Sequence, residues 1–146
     1  MVLGLLLHVL AATVWVGGMF FAHFMLRPAA SPLEPGVRLP LMRRALARFF
    51  PWVWVSVALL LLSGFGMISL GSGGLYVDIM MGLGFVMMLA FAHLYFAPWR
   101  RFQRALDGND LAAAAAQLKQ IRLIVTANLA LGLIVVAIGA TGRYWS

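Results

Sequence analysis

Residues 2–26 read VLGLLLHVLAATVWVGGMFFAHFML, and this stretch decides the fold. It holds no Asp, Glu, Lys or Arg. A bilayer core about 30 Å thick takes about 20 helical residues to cross. Inside hydrocarbon every backbone N–H and C=O must find its partner within the segment, so an apolar run of this length is a membrane-spanning helix. No positive stretch precedes it, which marks a retained span rather than a cleaved leader. Two histidines, His8 and His23, lie within it.

Three further apolar runs follow, at residues 52–70, 75–99 and 121–142. Together the four predict an all-α, integral-membrane, antiparallel four-helix bundle, with residues 1–146 forming one domain. The chain is 64% hydrophobic and 10% charged, where a soluble domain carries roughly 25% charged residues. Four spans leave no room for a soluble catalytic module. Cys is absent, which excludes a disulfide, a thiolate nucleophile or an iron–sulfur cluster.

The net charge of +7 belongs to the loops. Arg27, Arg38, Arg43, Arg44 and Arg48 fall between spans one and two, and Arg100, Arg101, Arg104, Lys119 and Arg122 between spans three and four. Only Arg143 lies elsewhere. This is the positive-inside pattern of a membrane protein, not a nucleic-acid surface. It places loops 27–51 and 100–120 in the cytoplasm and both termini on the other side. A bacterial cytoplasmic membrane fits the pattern.

Span one is expected to end at Arg27-Pro28. Residues 41–50 then read as an interfacial helix whose arginines meet anionic head groups, with Pro51 in the first turn of span two. Gly71-Ser-Gly-Gly74 is a tight outer link. Tyr76 and Trp145 near one boundary, and Trp52 and Trp99 near the other, resemble an aromatic belt. Span three is expected to run on past Pro98 to about Leu106. Asp107-Gly-Asn-Asp110 breaks the chain, and Asn109 or Asp110 suits a helix cap. Residues 111–141 read as one helix about 46 Å long. Gly132 and Gly139, with Asn128 nearby, and Ser56 with Ser63, are close-packing positions.

Ionisable groups at membrane depth are costly, and they usually face a bundle interior and bind or move something. His8, His23 and His93 are therefore the candidate ligands. At 100° per residue, His8, Trp15 and Met19 share one line along span one, and Gly82, Leu89 and His93 one face of span three. His23 and His93 lie at similar depth, near the arginines, and are placed to face each other. His8 lies about 22 Å from His23 along the helix, at the level of Asp78, Met80, Met81 and Gly82. Thioethers ligate Cu(I) or haem iron, which brings Met80 and Met81 into the candidate set.

The run His8-Val-Leu-Ala-Ala-Thr-Val-Trp15-Val-Gly-Gly18 resembles the first helix of the CopD-like copper-resistance membrane proteins. It also resembles the HemJ-type protoporphyrinogen oxidases, which are four-helix haem proteins. Arg43-Arg44-Ala-Leu-Ala-Arg48 before Pro51 is similar to the basic lead-in to their second helix, and His93-Leu-Tyr95 with Trp99 to the end of the HemJ-type third helix. The resemblance implies that His8 corresponds to a haem-binding first-helix histidine and His93 to a third-helix one. The HemJ-type lysine early in the third helix is missing, because Asp78-Ile-Met-Met-Gly82 stands there. That departure counts against porphyrinogen oxidation and not against haem binding.

Three readings stay open. The first is a haem b protein with a redox or porphyrin-related role and a redox, quinone or porphyrin partner. Its iron would be held by His8, or by His23 with His93. Trp15 and Gly82 would flank the ring, with Arg100, Arg101 or Arg27 on its propionates. Core packing is the plainer role for Trp15, Phe20, Phe21, Phe91 and Tyr95. The second is a copper-handling protein using His8, Met80 and Met81. The third is a non-enzymatic scaffold or assembly subunit, with a homo-oligomer among its forms.

Overall fold

All four apolar runs are helical and long enough to span a membrane in the computed structural model, which describes residues 1–145. The protein is an integral-membrane four-helix bundle, and among the described residues no strand occurs.

The first span does not stop at Pro28. Helix α1, Val2–Phe21, passes through a π-helical turn, Ala22–Leu26, into the short α2, Arg27–Ala30. A proline inside a helix lacks an N–H and crowds the carbonyl four residues back. The wider turn accommodates that, with the Arg27 N–H bonded to the Ala22 carbonyl five residues back. A π turn re-aims the side chains it carries, and His23 is one of them.

The second span is not preceded by a separate interfacial helix. Helix α3 runs unbroken over Pro35–Ser69, with Pro40 and Pro51 inside it and Pro35 in its first turn. The reason is a buried stripe. Leu39, Met42, Leu46, Phe50, Val53 and Val57 follow one another at spacings of three and four and are all buried. They hold one continuous face against the bundle. Pro51 sits on the exposed side, where its missing hydrogen bond disturbs no packing.

Helix α4 covers Leu75–Phe96 and breaks at Ala97, whose φ of −118° and ψ of −84° are not helical. The chain restarts with Pro98 as the amphipathic α5, Pro98–Asp107, so the third span does not continue straight. Trp99 and Phe102 of α5 are buried while Arg100, Arg101 and Arg104 stay exposed. Trp99 is therefore a core residue rather than part of an aromatic belt. Asn109 takes φ 52°, a conformation Asn tolerates. Asp110 caps the next helix by accepting the Ala113 N–H at 3.0 Å. Helix α6 then runs over Leu111–Thr141 as the sequence predicts, closing in a 3₁₀ turn at Gly142–Tyr144.

Helix α1 packs along α3 and α6, and α4 and α5 pack along α6. Side chains join α3 to α4. Phe50 meets Phe91 at 5.6 Å and Trp99 at 4.9 Å between ring centroids, and Trp54 meets Phe91 at 5.0 Å and Tyr95 at 5.4 Å. Gly142 lets Tyr76 come within 2.5 Å of the position of an added Cβ, and two further glycines bring α1 close to its neighbours. A Cβ on Gly18 would stand 2.2 Å from Phe49 of α3, and one on Gly132 would stand 2.9 Å from Val16 of α1. In lipid such contacts, rather than water exclusion, drive helices together.

Packing is uneven along the bundle axis. In α1 burial begins at Ala11, in α3 it ends at Ser63, and in α4 it begins at Met87. The tight core therefore lies at the end carrying loops 27–51 and 100–120, termed the basic end. The opposite, apolar end is open.

Candidate functional site

The three histidines occupy three different settings. His8 is half-buried on α1 near the apolar end, against α3. Its Nδ1 lies 2.9 Å from Ser63 Oγ. The Ser63 hydroxyl also lies against the Leu59 carbonyl four residues back, and when its one proton goes there the imidazole is the donor in the His8–Ser63 bond. In that arrangement Nδ1 carries the proton and Nε2 the lone pair, the form in which histidine binds a metal.

His23 repeats the arrangement at the basic end. Its Nδ1 lies 3.2 Å from Thr126 Oγ1 on α6, and Thr126 donates to the Arg122 carbonyl at 2.8 Å. Beside it is a hollow of only about 30 Å³, lined by His23, Arg27, Met42, Leu46, Ile121 and Arg122 among others. A water fits there and a porphyrin does not.

His93 is exposed on α4, and no hydrogen bond or ring contact joins it to His23 among the described residues. The sequence placed these two face to face. The fold separates them because α1 and α4 both pack on α6 rather than on each other. Between α3 and α4 at this level, Phe50, Phe91, Tyr95 and Trp99 pack edge to face and fill the space. Trp15 is buried edge-on to Phe91 at 6.2 Å, and Phe20 and Phe21 are exposed.

The remaining candidates are dispersed. Met80 fills the notch at Gly139 on α6, 3.1 Å from the position of an added Cβ. Met81 is 39% exposed, and Gly82 is exposed with open space around it. Arg100 lies over the Phe96 ring at 5.1 Å. His8 thus packs on α3, and Met80 and Met81 belong to α4, which is not in the α1–α3 seam. Among the described residues no cluster of three or more His, Asp or Glu is placed to hold a metal ion.

A different methionine lies in the same α1–α3 seam as His8. Met67 packs against Gly4, its Cγ 3.4 Å from the position of an added Cβ. Gly4 is one turn before His8 on α1, and Met67 is one turn after Ser63 on α3. An imidazole and a thioether therefore share the seam within about 6 Å along the axis. The i, i+4 spacing of Ser63 and Met67 was readable, but their pairing with α1 was not.

A family model described as copper resistance protein D, CopD, matches residues 43–141, most of the chain. The chain belongs to the CopD family. The matched stretch begins within α3 and runs to the end of α6, so Met67 and His93 lie inside it and His8 precedes it. No curated protein and no solved structure matches the chain.

Proposed function

We propose that this CopD-family protein handles copper, taking Cu(I) as cargo at its apolar end through His8, with Met67 as the neighbouring soft donor. The observation that carries the reading is the His8–Ser63–Leu59 chain, which supports the tautomer with its lone pair on Nε2. Neutral imidazole and thioether match the softness of Cu(I). Family membership supports the metal, and the charge pattern supports the side. With basic loops in the cytoplasm of a bacterial inner membrane, His8 meets ions arriving from outside.

A second reading is a haem b protein with His8 as an axial ligand. The sparser burial of the apolar end, where α1 has no buried residue before Ala11 and α4 none before Met87, favours it. The space between α3 and α4 beside His93 does not suit a haem, because Phe50, Phe91, Tyr95 and Trp99 fill it. Haem iron would supply one-electron transfer; the protein's own part would be the oriented His8 imidazole.

One preparation separates the two. Detergent-purified protein is titrated with Cu(I) against a chromophoric chelator, and its visible spectrum is recorded before and after dithionite. Copper handling predicts one tightly held ion, lost in His8→Ala and weakened in Met67→Leu. A Soret band lost in His8→Ala would replace copper with haem. A featureless spectrum with no copper retention would sink both and leave a scaffold role.

A further inference from the structure

The basic end carries a second feature unrelated to His8. A cleft of about 370 Å³ opens between α2, the start of α3 and α6. Its walls hold Arg27, Arg38, Lys119 and Arg122, and no Asp or Glu lines it. Arg27 and Arg38 are close enough to repel Arg122. The Nε atoms of Arg38 and Arg122 are buried with no hydrogen-bond partner. The ion pair found among the described residues, Arg43 with Asp107, lies elsewhere and neutralises none of the four.

Four cations gathered without a carboxylate, two of them with shielded and unanswered donors, constitute a site for an anion. The rest of the lining says which anion. Leu39, Leu118 and Leu123 complete the walls beside Thr126. Leu123, near the start of the fourth apolar run, is 64% exposed, so the charged cleft borders the surface expected to meet acyl chains. A soluble phosphate would use the charges alone. A molecule with an anionic head and hydrocarbon tails uses both.

We propose that this cleft binds the phosphate head group of an anionic phospholipid, with the acyl chains lying along α6 beside Leu123. Fork-shaped guanidinium donors suit phosphate oxygens, and basic pockets between transmembrane helices bind anionic head groups.

The test is native mass spectrometry of the full-length protein in neutral detergent, titrated with phosphatidylglycerol, phosphatidylcholine or inorganic phosphate. Each cation facing an anionic lipid contributes roughly a fivefold gain in binding. Arg38→Gln/Lys119→Gln should therefore lose phosphatidylglycerol by roughly 25-fold, while Arg48→Gln/Arg101→Gln, outside the cleft, should bind as wild type does. Lys119→Gln alone, at an exposed position, should show roughly a fivefold loss and keeps the test open if the double variant misfolds. Equal losses in the cleft and control pairs would mean diffuse attraction and overturn the site. Phosphatidylcholine retained as well as phosphatidylglycerol would overturn the charge selection. Inorganic phosphate that displaces the lipid at equal concentration would assign the cleft to a soluble anion and overturn the lipid.

Discussion

At His8 the chemistry turns on one proton. Ser63 is 8% exposed, and when its proton goes to the Leu59 carbonyl its oxygen accepts from His8. Removing the hydroxyl by Ser63→Ala frees the ring to rotate and to change tautomer. Loss of such a supporting contact costs a metal ligand about 10–100-fold in affinity. A Cu(I) competition titration should show that loss with helical content unchanged by circular dichroism. Unaltered affinity would mean that Ser63 does not orient His8. The helical spacing of His8, Trp15 and Met19 was legible, and they do share a face, with Trp15 and Met19 each 2% exposed. Ser63 was legible only as a small residue, because nothing in one sequence states which residue of α3 faces which residue of α1. His23 misled for another reason. It lies in the π turn ahead of Pro28, where a uniform 100° step no longer gives its direction.

At the scale of the element, proline was the deceptive signal. Pro28 and Pro51 both read as boundaries, and both lie within continuous helix. A proline ends a helix when nothing else holds it together. Here the buried series from Leu39 to Val57 outweighs the lost bond. The Ala97 break was signalled by Pro98, which disfavours the α conformation in the residue before it, but the expected helix ran on past it. The lack of cysteine makes α3 testable by spin labelling. Labels at Val37 and Leu62, both exposed, stand about 38 Å apart along one straight helix. If the first part lay flat in the interface and turned at Pro51, the same pair would be about 27 Å apart. Double electron–electron resonance should give the longer distance, and a dominant population near the shorter one would restore two helices.

Over the whole molecule, hydropathy counts spans but does not say where the bundle is tight. Lipid-facing and core positions are equally apolar, so residue type alone does not separate Phe65 from Phe102. One is 54% exposed and the other fully buried. Truncating a buried phenylalanine costs about 3–5 kcal/mol. Phe102→Ala should therefore lower the melting temperature in detergent sharply, and Phe65→Ala should barely move it. The reverse order would place the core at the wrong end. A tight basic end and an open apolar end also divide the work of the chain. The rigid half anchors the helices, and the less packed half carries His8 and Met67 along the α1–α3 seam. Under the proposed function that division would serve capture from outside only if the apolar end faces outward, as the distribution of Lys and Arg predicts. Gly73→Cys marks the apolar-end link and Ala112→Cys the basic end, both at exposed positions. In intact cells a membrane-impermeant maleimide should label the first at once and the second only after permeabilisation. The opposite pattern would turn the molecule over. His8 would then face the cytoplasm, and the copper it meets would be copper on its way out.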